Sequence, residues 1–105
     1  MTPGELGAAI RGIPGINSVT RKQGRGIDRL YLHFSVAVPV TSVWIDLCTC
    51  TLEWDKDYIT KWHPGMFWRS DPHNLGARAL GAVREVLAQF RTERIAELKG
   101  VKACP

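Results

Sequence analysis

The most constraining feature of this sequence is a helical pattern of apolar residues between positions 75 and 91. Its members recur at three- and four-residue spacing: Leu75, Ala79, Ala82, Val83, Val86, Leu87 and Phe90. At about 100° per residue they cover about 140° of arc, the width of a stripe that packs on a sheet. Glu93 and Glu97 fall in the same arc, so the pattern predicts that the helix leaves the sheet or ends beyond Arg91, with Gly100 as its C-terminal stop.

Extended patterns occupy the middle of the chain. Runs at 16–22 and 28–36 flank two glycines that suit a hairpin connection. The second run alternates cleanly, which predicts a half-buried antiparallel strand with Leu30, Leu32, Phe34 and Val36 on the core face. A third strand is predicted from about 42 to 54, with Val43, Ile45 and Leu47 toward the core, and a short fourth strand around residues 58–62.

The order of these elements predicts the fold class. A short helix is expected from about residue 3 to 12, because Thr2-Pro3 is a favourable helix start and Gly12-Ile13-Pro14-Gly15 ends it. A chain of 105 residues has the size of one domain. We therefore predict a single α+β domain over residues 1–105 in the order α-β-β-β-β-α, an antiparallel meander sheet with two helices packed on one face.

Charge and composition narrow the classes of partner. The formal net charge is +4, with +3 over residues 1–27 and +2 over residues 71–105, and a basic surface of this kind favours nucleic acid or a nucleoprotein. No apolar run reaches the roughly 20 residues of a membrane span, and the N-terminus lacks a signal-peptide pattern. The sequence therefore predicts no membrane association, a cytoplasmic location and reduced cysteines.

Two groups of residues suggest a nucleic-acid interface. On the sheet face opposite the predicted core, aromatic rings lie beside cationic side chains, a combination that stacks unpaired bases. The hairpin and the last helix carry further basic residues for phosphates. The predicted contacts are Arg21, Lys22, Arg25, Arg29, Tyr31, Trp44, Arg84 and Arg91. The alternative is that the strand aromatics serve packing alone, in a second small core or a dimer interface.

A second set of residues suggests a protein partner. Trp62, Phe67 and Trp68 cluster in a turn-rich stretch, and tryptophan is enriched at binding hot spots. Ile95 and Leu98 lie off the main apolar arc of the last helix, which indicates a contact there with another surface, such as a second copy of the chain in a homodimer. The alternative is that the aromatic residues fold back to cap the core.

The sequence gives little support for chemistry. Cys48 and Cys50 are spaced too closely for a zinc knuckle, and the set Cys48, His33 and Asp46 lacks a catalytic signature. We expect no metal, no cofactor and no catalytic residue. The leading hypothesis is a non-enzymatic nucleic-acid-binding module. The alternatives are a phage or mobile-element accessory protein that binds and inhibits a host protein, and a small metal- or thiol-dependent protein.

Overall fold

Along the described part of the chain, one helix precedes five strands and a second helix follows them. The computed structural model describes residues 3–63 and 75–103, and side chains of the last helix over residues 78–96. The elements in chain order are α1 (Pro3–Arg11), β1 (Ile16–Gly24), β2 (Ile27–Phe34), β3 (Ser42–Asp46), β4 (Thr51–Lys56), β5 (Ile59–Trp62) and α2 (Leu75–Ala103). All strands pair antiparallel in the order β1-β2-β3-β4-β5. The α+β meander predicted from the sequence is confirmed.

Short turns connect the strands and set their register. Gly24 pairs with Ile27 across a two-residue loop, and Gly26 in that loop has a φ of 67°. Lys56 pairs with Ile59 across Asp57 and Tyr58, whose φ values are 53° and 65°. In the β4–β5 loop both residues have positive φ, which is the pattern of a type I′ turn, and the twist of such a turn matches that of the strands it joins.

The core lies between the sheet and the two helices. Phe90 of α2 is fully buried, and its ring meets Trp54 edge-on at a centroid distance of 5.6 Å. Leu6 and Ile10 of α1 are also fully buried. The sheet contributes the alternating residues on its inner face: Leu30, Leu32, Val43, Ile45, Leu52 and Trp54. Both helices therefore cover the same face, as predicted.

The third predicted strand is wrong in its length. Residues 47–50 form a turn that divides the run 42–54 into β3 and β4, so the sheet has one strand more than expected. The carboxylate of Asp46 accepts hydrogen bonds from the backbone N–H groups of Cys48 and Thr49, at 2.9 and 3.1 Å. The chain reverses after this turn, which places Trp54 beside Val43 on the core face.

The last helix continues beyond its predicted end. Gly100 does not stop it, because α2 extends to Ala103. A helix-interior glycine costs about 1 kcal/mol relative to alanine, which is too little to end a helix by itself. The predicted departure from the sheet is not seen at the first arc position beyond Arg91, because Glu93 is half-buried and forms an ion pair of 3.6 Å with Lys56 of β4.

Gly15 closes the turn between α1 and β1 in a conformation that other residues rarely adopt. Its φ is 99°, and an added Cβ would lie 3.0 Å from Leu87 Cδ2 and 3.3 Å from Arg91 Nη2. Gly15→Ala is therefore expected to lower the free energy of unfolding by about 1–3 kcal/mol in urea denaturation. Gly24→Ala is the matched control, because a Cβ there meets nothing within 4 Å. Equal effects of the two substitutions would contradict a constraint at Gly15.

Candidate binding surfaces

Trp44 is the centre of an aromatic cluster on the sheet face opposite the helices. Its ring centroid lies 5.9 Å from that of Tyr31, and the guanidinium carbon of Arg29 lies 4.8 Å from the ring centroid of Trp44. Arg29 Nη1 donates a hydrogen bond of 3.1 Å to the hydroxyl of Tyr31. Since Trp44 is only 4 % exposed, the prediction that it offers an open stacking surface is wrong.

Polar contacts complete this cluster. Trp44 Nε1 donates a 2.8 Å hydrogen bond to Glu53, and the hydroxyl of Thr51 donates one of 3.0 Å to the other carboxylate oxygen. The pKa of Arg29 is raised above its ordinary value, chiefly by the hydrogen bond to Tyr31 and further by the nearby carboxylates of Asp46 and Glu53. Arg29 therefore remains charged, and its guanidinium group makes a cation–π contact with one face of the Trp44 ring.

Sequence reasoning missed Glu53. In one continuous strand from 42 to 54 its position would have matched the core face of Val43 and Ile45. The turn at 47–50 instead places Glu53 directly opposite Trp44. The signal that could have revealed this was Asp46, a residue type that starts turns by bonding the backbone two or three residues later.

The three basic residues of the β1–β2 hairpin do not share one surface. Arg21 lies beside Leu30 on the helix-covered face, and Lys22 lies beside Arg29 on the other face, while Arg25 is in the loop. Arg21 also donates two hydrogen bonds, each 3.0 Å, to the carboxylate of Asp28. These bonds are the main reason that the pKa of Arg21 is raised and that of Asp28 is lowered.

Arg84 and Arg91 line one shallow cavity on the helix side of the molecule. Its volume is about 210 Å³, and its other lining residues are Ile13, Pro14, Leu87 and Ala88. No carboxylate is among these lining residues. Within the part of the chain that the structure describes, neither arginine makes a hydrogen bond or an ion pair. Arg91 packs across Gly15, which is possible because that position has no side chain.

The edge strand β5 exposes large apolar side chains. Ile59 is 59 % exposed and Trp62 is 57 % exposed, and Tyr58 in the preceding turn is fully exposed. A groove of about 540 Å³ follows this edge: Trp54, Ile59, Thr60, Lys61, Trp62, His63 and Gln89 line it. Hydrogen bonding between His63 Nε2 and Glu85, at 2.6 Å, links the end of the strand to α2.

The other predicted partner residues are only partly described. Ile95 is exposed on α2, and Leu98 lies on the same helix, where the structure describes its backbone alone. Phe67 and Trp68 lie outside the described residues, so their role stays a prediction.

Cys48 and Cys50, the two cysteines among the residues that the structure describes, lie in the β3–β4 turn. Cys48 is exposed, and Cys50 Sγ lies 3.9 Å from the carbonyl oxygen of Leu47. His33 forms a hydrogen bond of 3.0 Å with Thr20. The carboxylate of Asp46 bonds the backbone of the turn. The two side chains considered as catalytic partners of the Cys48 thiol are therefore engaged in other hydrogen bonds. Across residues 3–63 and 75–103, no group of three or more histidine, cysteine or acidic side chains could hold a metal ion.

Comparison with known proteins gives no further guide to the function of these surfaces. No protein-family model matches the chain, and no curated protein sequence or solved structure is significantly similar to it. In the described ranges, neither helix has the length and apolar character needed to cross a membrane.

Proposed function

We propose that this chain is a small non-enzymatic binding module that contacts nucleic acid through Arg84 and Arg91 on its helix side. The observation that carries the proposal is the shared cavity of these two arginines, which no carboxylate lines. A guanidinium group presents several N–H donors in a plane and matches the oxygens of a phosphate. The formal net charge of +4 would add long-range attraction to a polyanion.

The placement of the arginines supports contact with two separate phosphates. Arg84 and Arg91 are seven residues apart on α2, a rise of about 10 Å along the helix axis. Two guanidinium groups at this spacing can contact two separate phosphates of one strand and need not share a single phosphate.

The helix side is favoured over the hairpin and over the aromatic cluster. Arg91 is positioned by its packing on Gly15, and a side chain that is already ordered loses less entropy on binding. Lys22 and Arg25 are exposed on a hairpin face and a loop, and Arg21 is bonded to Asp28. Trp44 is buried.

Salt dependence of oligonucleotide binding tests this proposal. The double substitution Arg84→Gln and Arg91→Gln is expected to reduce the slope of log affinity against log salt by nearly two, since each lost phosphate contact removes about 0.9 from the slope on a duplex. Fluorescence anisotropy with single- and double-stranded oligonucleotides measures the slope. Affinity should fall for all sequences alike, because phosphate contacts carry no sequence information.

The matched control is the double substitution Lys22→Gln and Arg25→Gln. Each double variant lowers the formal net charge from +4 to +2, so a general charge effect would change both slopes equally. We expect the hairpin variant to keep most of the wild-type slope. No binding by the wild-type protein at about 50 mM salt, or a larger loss in the hairpin variant, would contradict the proposed contact.

Capture of a protein is the second candidate function, and the exposed edge of β5 favours it. Trp62 and Ile59 are large apolar residues that remain more than half exposed. Tryptophan is among the residues most enriched at binding hot spots. The partner at such an edge could be a different protein or a second copy of this chain. Self-association of the purified chain distinguishes the second case from the first.

A further inference from the structure

The Arg84–Arg91 cavity has an apolar surface between its two cations. Leu87 and Ala88 follow Arg84 by three and four residues on α2, and Arg91 follows it by seven. These spacings place all four side chains on one side of a helix. The order along the helix is therefore cation, apolar, cation.

The other wall of the cavity is apolar as well. The turn between α1 and β1 contributes Ile13 and Pro14 to the lining. Ile13 and Leu87 are buried, whereas Pro14 and Ala88 are exposed. The buried pair therefore forms the floor of the cavity, and the exposed pair offers apolar surface to a ligand.

Phosphate contacts alone do not account for this apolar lining. A phosphate group is bound by N–H donors, and it gains nothing from apolar surface that removes its water. In a duplex the bases are stacked and paired, so the backbone presents phosphate and sugar to a surface cavity. An unpaired base has a free planar face, which apolar side chains and guanidinium groups can cover.

We propose that the Arg84–Arg91 cavity holds one unpaired base of a single-stranded nucleic acid, with the phosphates on either side of that base at the two arginines. Each base in a single strand lies between two phosphates, which is the order that the cavity presents. Single-stranded nucleic acid is thereby the preferred ligand class within the proposed function, on which this assignment rests.

The size of the cavity agrees with one base. An enclosed apolar cavity of about 150 Å³ holds a benzene ring. The volume of about 210 Å³ here is therefore enough for a one-ring base. Both arginines line this same volume, so both reach a nucleotide that is seated in it. Stacking depends little on base identity, because every base has a planar face.

Fluorescence anisotropy with three oligonucleotides of equal length tests this assignment. The probes are a single strand of thymidines, the same strand with abasic sites in place of its bases, and a duplex. The two single strands carry equal phosphate charge, so a difference between them reports on the bases. The wild-type protein is expected to bind the thymidine strand more tightly than the abasic strand by about fivefold or more, the lower end of the effect of one stacked base.

Ala88→Leu fills the cavity and keeps both arginines. Leucine suits a helix, so circular dichroism should show the variant folded. Its preference for the thymidine strand should fall below about twofold, while the salt slope of duplex binding stays that of the wild type. Ala96→Leu is the matched control, since it is the same substitution at an exposed position of α2 outside the cavity lining. If Ala88→Leu fails to fold, Ala88→Gln replaces it, because glutamine also suits a helix.

Several results would overturn the assignment. If the wild type binds the thymidine and abasic strands equally, the arginines contact phosphate alone, and the proposed function stands without a base in the cavity. A preference that survives Ala88→Leu would place the base elsewhere on the protein. Equal losses for all three probes, or equal effects of Ala88→Leu and Ala96→Leu, would exclude a specific role of the cavity in holding a base.

Absence of binding to all three oligonucleotides at about 50 mM salt would contradict the proposed function as well. A synthetic peptide with one leucine between glutamates has the same order of charge and apolar surface. Binding of that peptide in place of the oligonucleotides, with its loss in Ala88→Leu, would assign the cavity to a protein partner.

Discussion

Phe90→Ala is expected to lower the free energy of unfolding by about 3–5 kcal/mol, the usual cost of truncating a buried aromatic residue to alanine. Phe90 is fully buried. Its ring meets Trp54 and Phe34 edge-on, at centroid distances of 5.6 and 6.3 Å. Such aromatic pairs add to the energy of burial. Urea denaturation followed by circular dichroism measures the loss, with an unchanged m value showing that the unfolding transition is the same.

The control for this substitution lies on the same helix. Ile95 is 53 % exposed, so Ile95→Ala should change the free energy of unfolding by no more than about 0.5 kcal/mol. If Phe90→Ala is too unstable to purify, Phe90→Leu leaves a smaller cavity and should cost less, about 1.5 kcal/mol or below. A cost under about 1 kcal/mol for Phe90→Ala would mean that α2 does not dock on the sheet.

The elements with a clear hydrophobic period were predictable from the sequence. The apolar stripe between 75 and 91 predicted α2, because only a helical period places Val83, Leu87 and Phe90 on one face. All three are buried against the sheet. Alternation in 28–36 predicted β2 and its core face for the same reason, but β2 ends at Phe34, and Val36, predicted on the core face, is 40 % exposed. Short connections then predicted the meander.

Within the β3–β4 turn no residue gives the usual turn signals, and Asp46 just before it is the only sequence feature that indicates a turn there. Leu47-Cys48-Thr49-Cys50 contains no glycine, proline or asparagine, and Cys50 adopts a φ of 56°, which is rare for such a residue. The turn forms because its neighbours fix it: the Asp46 carboxylate caps two N–H groups, and Asp46 pairs with Thr51. The pairing of β3 with β4 stabilises this local conformation. A prediction of one extended strand from 42 to 54 therefore misses the turn.

An error at this one turn changed the interpretation of the sheet's outer face. A side chain changes face with each step of one residue along a strand. A continuous strand from 42 to 54 implies that Glu53 lies on the core face, so the predicted outer face had no acceptor for Trp44 Nε1. Trp44 was therefore interpreted as a residue that stacks on bases. With Glu53 opposite it and Arg29 over its ring, Trp44 belongs to a packed polar and aromatic cluster.

Trp44→Ala is therefore expected to destabilise the protein by about 3–5 kcal/mol, as for other buried aromatic residues. The change opens a cavity and removes the 2.8 Å donor to Glu53, and Arg29 loses the ring that it covers. A charged group that loses its partner while partly buried adds to the cost. Urea denaturation gives this loss of stability, which is a large part of the 5–15 kcal/mol that typically stabilises a domain.

Trp62→Ala is the matched control, because it is the same substitution at a tryptophan that is 57 % exposed on the same sheet face. This substitution should cost well under half as much stability as Trp44→Ala. Trp44→Leu keeps an apolar side chain but cannot stack a base, and it should leave oligonucleotide affinity unchanged per folded molecule. If Trp44→Leu instead weakens single-strand binding by about 1–3 kcal/mol with little loss of stability, Trp44 contacts bases, and its cover by Arg29 must open on binding.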